Sequence, residues 1–468
     1  MEPVRVLATL LLASCCGLVA RAEDGSAAAL LGEIIRIDTS NPPGQTEPLA
    51  RLLESKFQPL GFAVELVPTP YAGRVHFLAR LKGDGSKRPV LLAAHSDVVG
   101  VERKNWTVDP FAGLRKDGFV YGRGAIDFKG GLAVFATALM RVAREKIPLA
   151  RDIIFLSEPD EEGAGPAGTP WLAANHWDKI DCEFALNEGG WIMKRPNGTV
   201  RYVAISVADK TSINLFLTAH GTSTHSSMPR PDNAIYALGR ALAKLSQWEP
   251  APRLLPATRQ FFETLARTGQ PPLSQYFHDI ASSNDPAVIA RADREIARSG
   301  PDAPLLHAFL RDTLAPVILK AGFRENVIPS TAEAQINVRV LPGSDAEALR
   351  REVERVVGDP TVEVRLDAKR LAQGTPPPSP LDTDLYRALA RSAKQVFPEA
   401  EVTPYLFQAG TDAAPWRRKG VPVYGIYPYP IDDEDLKRMH GNDERVEIRS
   451  LAQGTEMVYR TLVSVAGK

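Results

Sequence analysis

Cysteine is nearly absent from this 468-residue chain: of three, Cys15 and Cys16 sit in an apolar N-terminal run and only Cys182 lies beyond it. That scarcity excludes a disulfide framework and leaves His, Asp and Glu, not thiolate clusters, to hold any metal. Net charge is absent as well, since 56 Lys plus Arg balance 56 Asp plus Glu. No global field draws the chain to nucleic acid, and a small polar or anionic substrate fits better. Past the N-terminus no stretch offers ~20 unbroken apolar residues, so no further span of a membrane is expected. Familiar catalytic signatures are missing too. There is no G-x-x-x-x-G-K-[ST] phosphate loop and no G-x-S-x-G elbow, and "GRGAID" lacks the third glycine of a dinucleotide fingerprint. Without an elbow, Ser223, Ser226 and Ser227 beside His225 do not read as a serine hydrolase.

What is present begins with "MEPVRVLATLLLASCCGLVARAEDG", one Arg before an apolar stretch that ends in Ala20-Arg21-Ala22. This pattern predicts a signal peptide over residues 1–22 and a secreted or periplasmic protein. Leu12-Ala13-Ser14-Cys15 also fits a lipoprotein box, and the alternative is a membrane-anchored lipoprotein with a lipid on Cys15. Beyond it, helix-like segments around 26–38 and 46–59 precede the apolar runs "AVELVP", "HFLARL" and "PVLLAAHSD". Phe128, Leu132, Phe135, Leu139 and Val142 then recur at helical spacing before the strand-like "RDIIFLSE". Such alternation predicts an α/β domain, a mixed sheet covered by helices. From residue 206 the pattern changes to alternating strands and a helix-rich stretch from about 234 to 320, which reads as an inserted α+β unit. The expected division is 23–205 and 369–468 for the catalytic domain, with 206–368 as a lid or dimerisation domain after which "GTPPPSP" is a linker.

Polar groups gather at the ends of the predicted strands. His95 and Asp97 follow "VLLAA", Glu161 and Glu162 follow "IIFLSEPD", and Glu188 follows "EFALN". Open α/β sheets build their sites at such carboxyl ends. Asp127, in "YGRGAIDFKGG", sits between glycine-flanked turns, where an N-cap is the ordinary reading. Glu158, Asp160, Glu161 and Glu162 crowd one loop. On an open surface that is merely solvated charge, but beside Asp127, Glu188 and a histidine it calls for cations. Imidazole and carboxylate ligands suit zinc, and a shared carboxylate holds two ions roughly 3.5–4 Å apart. Asp97 is then expected to orient the second ring nitrogen of His95.

The ordered motifs "AAHSDVV", "GRGAIDFKGG", "SEPDEEG", "LNEGG", "HGTSTHSSMP" and "MHGNDERV" resemble those of the M20 metallopeptidases, the aminoacylase and carboxypeptidase G2 group. The export signal and long insertion are most similar to secreted relatives of carboxypeptidase S and the N-acyl-amino-acid hydrolases. The resemblance implies a zinc-dependent exopeptidase-like fold with two Zn2+ per subunit, Co2+ or Mn2+ being alternatives. It implies that His95, Asp127 and Glu188 hold one ion and that Asp127, Glu162 and His440 hold the other. Glu161 matches the general base, and the Asp127-Phe128 peptide matches a cis bond. His225 matches a histidine that contacts the scissile carbonyl, often from the partner of a homodimer. Asn326, Arg339 and Gly410 match substrate-binding positions. Glu188, where aminopeptidase members tend to have Asp, tilts the expectation toward a small peptide or N-acyl amino acid with a free carboxylate. The rivals are an aminopeptidase or dipeptidase of the same fold, and a binding protein without turnover. Retention of the base argues against the last.

Overall fold

The computed structural model describes residues 26–163, 165–299, 303–367 and 374–468. The expected signal peptide and Cys15 lie outside them. Two compact units emerge: one comprises the chain up to Val207 with Ser379–Pro404 and Thr411–Lys468, the other Ala208–Pro378 with Tyr405–Gly410.

The first unit is built on a mixed, ten-stranded sheet. Its path runs Ala63–Pro68, Val75–Leu81, Ile153–Glu158, Val90–His95, Phe184–Asn187, Val423–Gly425, Val200–Asp209, Ile192–Lys194 and Pro430–Ile431, with Glu401–Phe407 pairing Val200–Asp209 off it. Val90–His95 is buried at all six positions between the parallel strands Ile153–Glu158 and Phe184–Asn187. A strand enclosed on both faces needs a continuous apolar run, which is what "VLLAA" supplies. The same pairing puts His95 opposite Glu158 at the carboxyl ends of the two strands.

Helix Lys129–Arg144 covers this sheet through Leu132, Phe135, Leu139 and Val142. Its first turn lies tight against the loop before it. A Cβ on Gly130 would come 2.2 Å from the Ala125 carbonyl oxygen, and one on Gly131 would come 2.1 Å from the Phe128 ring. Only glycine allows that approach.

In the second unit the antiparallel order is Thr313–Ala321, Thr331–Val340, Thr211–His220 and Val362–Leu366. Alternate residues of these strands, among them Leu215, Leu217, Ile336 and Val338, join Leu238 and Val353 of helices Ala234–Leu245 and Ala346–Val357 in one core. Two expectations need correction. Residues 313–321 are an edge strand, not helix: they pair with Thr331–Val340 and accommodate Pro316 at a register shift, as edge strands do. The unit also extends past 368 to 378 and reclaims 405–410. The reason is aromatic packing, because the Tyr405 ring stands edge-on to Phe261 at 5.0 Å and to Phe309 at 5.1 Å.

Phe261→Ala would empty the centre of that cluster. It is expected to destabilise the second unit by ~3–5 kcal/mol, seen in scanning calorimetry as a lowered transition; an unshifted thermogram would contradict the packing role.

Candidate metal centre

The ligating side chains of the candidate centre come from strand ends and from turns beside helices, His440 from the turn after helix Asp433–Leu436. His95 ends its strand, Glu188 follows Phe184–Asn187, and Glu162 lies in the loop after Ile153–Glu158. Asp127 precedes helix Lys129–Arg144, its peptide bond to Phe128 cis. The two oxygens of Asp127 face opposite partners. Oδ1 lies 3.0 Å from His95 Nε2, which is 3.5 Å from Glu188 Oε2; Oδ2 lies 3.1 Å from His440 Nε2, which is 3.1 Å from Glu162 Oε1. Two groups result, His95–Asp127–Glu188 and Asp127–Glu162–His440, each with ligand atoms within 4.8 Å of one another. Atoms bound ~2 Å from a tetrahedral zinc stand roughly 3.3 Å apart. The observed separations therefore fit one divalent cation per group, with Asp127 common to both.

Electrostatics supports the same reading. Burial, followed by the Glu188 carboxylate, pushes Glu161 well above the usual carboxylate range. Burial raises Glu188 to about 6 and raises Glu162 as well, against the pull of His95 on the first and His440 on the second. Burial would raise Asp127 too, but hydrogen bonding to His440 and His95 outweighs it and holds this carboxylate low. Without cations the imidazoles carry the compensating charge: hydrogen bonds to Asp127 and Glu162 raise His440 to about 10.

Asp97 departs from its expected role. His95 Nδ1 lies 3.0 Å from the main-chain carbonyl of Asp97, and 3.7 Å from its carboxylate. That carboxylate instead accepts the backbone amides of Glu161 and Glu162, each at 3.1 Å, and Asn41 Nδ2 at 2.8 Å. A strand-end carbonyl is already in place for the imidazole, so the side chain is free to pin the loop that carries both glutamates.

The second unit holds the remaining residues singled out by sequence. His225 is exposed on the short strand Thr224–His225, which pairs with Val327–Ile328, and Ser226 N–H donates to the Asn326 carbonyl at 3.0 Å. Arg339, half-buried, donates from Nε to Asn337 Oδ1, and a Cβ on Gly410 would lie 3.9 Å from its Nη1. The structure thus brings His225 close to Asn326 and Arg339 close to Gly410.

Residues 91–464 match the model of Peptidase family M20/M25/M40. The chain belongs to this family. It is 31% identical over 396 residues to the human N-fatty-acyl-amino acid synthase/hydrolase PM20D1, covering 83% of this chain and 76% of that protein. It is 30% identical over 386 residues to a probable carboxypeptidase S-like 2 of Dictyostelium discoideum, covering 81% and 72%. Its fold matches the M20 family metallo-carboxypeptidase Sso-CP2 of Sulfolobus solfataricus with a TM-score of 0.65 at 17% identity, over 93% of this chain and 98% of that one. This M20 chain is accordingly a hydrolytic enzyme, a peptidase or amidohydrolase of a metal-dependent family.

Sequence reasoning missed Tyr427, whose buried hydroxyl lies 3.1 Å from both Asp127 Oδ1 and Glu188 Oε2. Burial, then those two carboxylates, raises its phenol well above 10 and keeps it a neutral donor. Its ring stacks on Trp191 at 4.1 Å. Nothing in "VYGIYPYP" distinguishes that tyrosine from Tyr424 and Tyr429, which are buried as well; only the fold shows which hydroxyl reaches the two carboxylates.

Metal loading should displace protons. His440 must be neutral to bind a cation, yet in the metal-free fold it keeps its proton to about pH 10 against an ordinary 6.5. Its pairing stabilises the metal-free fold fully below that ordinary value and is lost as pH rises through about 10. Titration calorimetry in buffers of different ionisation heat is expected to show proton release and an apparent affinity that climbs with pH from 7 to 9, a span chosen roughly inside this window. An affinity flat across that span would contradict the assignment of His440.

Proposed function

We propose that this enzyme is an exported di-zinc amidohydrolase that cleaves a peptide or N-acyl bond next to a free carboxylate, with N-acyl amino acids as its substrate class. The observation that carries the reading is the meeting of two ligand groups on opposite oxygens of Asp127, with Glu161 beside them. The similarity to a named N-fatty-acyl-amino acid hydrolase and to a carboxypeptidase S-like protein supports the substrate class. Zinc bound there supplies a Lewis acid and lowers the pKa of water toward neutrality. Glu161, whose proton affinity burial raises, takes a proton from the attacking water and hands it to the leaving amine. His225 donates to the developing oxyanion, from its own subunit or a partner's, and Asn326 and the Gly410 loop hold the substrate backbone. Arg339 pairs with the free carboxylate.

Export rests on the apolar run before Ala20-Arg21-Ala22, with a lipid on Cys15 as the alternative. A homodimer through the second unit is supported by its edge strand, where Val317, Ile318 and Leu319 are exposed.

Adjacent glutamates should separate by role. Glu161→Gln is expected to retain both ions and lose several orders of magnitude in kcat, whereas Glu162→Gln is expected to lose metal by elemental analysis; equal metal loss in both would refute Glu161 as base.

Arg339→Ala tests the substrate class. Charge-assisted hydrogen bonds of ~1.5–3 kcal/mol correspond to a loss of roughly 10–150-fold in kcat/KM on N-acyl amino acids. Their C-terminal amides should barely change. The same factor on acids and amides would make Arg339 structural and remove the carboxylate from the specificity.

A further inference from the structure

The Asp127 loop and the His440 loop are far apart in sequence, and one buried ion pair joins them. Arg123 lies four residues before Asp127 and Glu444 four residues after His440. Their side chains are 2% and 0% exposed and meet at 2.6 Å. Glu444 reaches into the Asp127 loop, where Oε2 accepts Gly124 N–H at 3.0 Å and Oε1 accepts Ile126 N–H at 2.7 Å and Asp127 N–H at 3.1 Å. With the Arg123 contact, all of its roughly four acceptor positions are filled. Arg123 reaches the other way: Nη2 donates to the Gly441 carbonyl at 2.8 Å and to the His440 carbonyl at 3.4 Å. His440 itself has φ 57°, in the left-handed region that non-glycine residues adopt uncommonly. The guanidinium also lies over the Trp106 ring at 5.3 Å.

We infer that Arg123 and Glu444 are positioning residues, a crossed clamp that sets the backbone of Asp127 and His440 so that the Asp127–Glu162–His440 group is preformed for its ion. Neither side chain is a ligand. The inference rests on the reading that this group holds a cation. Among the described residues, neither Arg123 nor Glu444 bonds to His95, which ends its strand, or to Glu188, which follows one, so the clamp acts unequally on the two ions.

Arg123→Lys is the discriminating variant, because it keeps the buried positive charge beside Glu444 but removes the planar fork that reaches both carbonyls at once. Zn2+ is titrated into the metal-free full chain against a chromogenic chelator, with His440→Ala marking which affinity belongs to its group. Loss of an outer partner of a metal ligand typically lowers affinity by about 10–100-fold. That loss is expected in Arg123→Lys for the His440 group alone, with the other affinity unchanged. Circular dichroism of the metal-free variant should show a folded baseline. Two unchanged affinities would overturn the clamp, as would equal loss at both groups or a variant without a folded baseline, which would make the pair a requirement of the fold alone. A wild-type chain that binds no Zn2+ would instead overturn the metal reading beneath it.

Discussion

Like charge in a dry place is the constraint on which the centre depends. Asp127 and Glu188 are buried, Glu161 and Glu162 lie beside them, and among the described residues two imidazoles face the group. Four carboxylates cannot all ionise there unless something positive enters. Burial first, and the neighbouring carboxylates after it, raise the proton affinities of Glu161, Glu162 and Glu188. Divalent cations held by the two groups would relieve the crowding.

The fold keeps this arrangement from relaxing by pinning the loops that carry it. Asn41 donates to Asp97 at 2.8 Å and to Asp160 at 2.7 Å, while Arg74 pairs with Asp160 at 2.6 Å. Asp97 in turn fixes the amides of Glu161 and Glu162. Removing one member of such a buried network costs more than its own bond is worth, because the partner is left unpaired. The candidate ligands are thus placed by backbone held from behind, and their own side chains are left to face one another across the two groups.

Much of this was legible in the sequence wherever chemistry and periodicity coincide. "VLLAAHSD" reads correctly as an enclosed strand ending on a polar group, and the helical spacing from Leu132 to Val142 predicts the helix that covers it. The family resemblance implied five ligand positions, and the same five side chains form the two groups that meet at Asp127. What was not legible depends on which atom of a residue faces inward. Asp97 was read through its carboxylate when its carbonyl faces His95, and neither Tyr427 nor the Arg123–Glu444 pair carries a local signal. Strand Thr313–Ala321 was hidden because its pairing partner lies across a turn and its exposed apolar side chains mimic a helix-rich context.

The central claim is that one carboxylate, Asp127, serves two ions at once. Electron paramagnetic resonance of the protein loaded with two Mn2+ measures this directly, since ions sharing a carboxylate lie roughly 3.5–4 Å apart and couple their spins. An exchange-coupled spectrum that gives way to the isolated-ion pattern in Asp127→Asn is expected. Two uncoupled Mn2+ ions in the wild-type protein would contradict it.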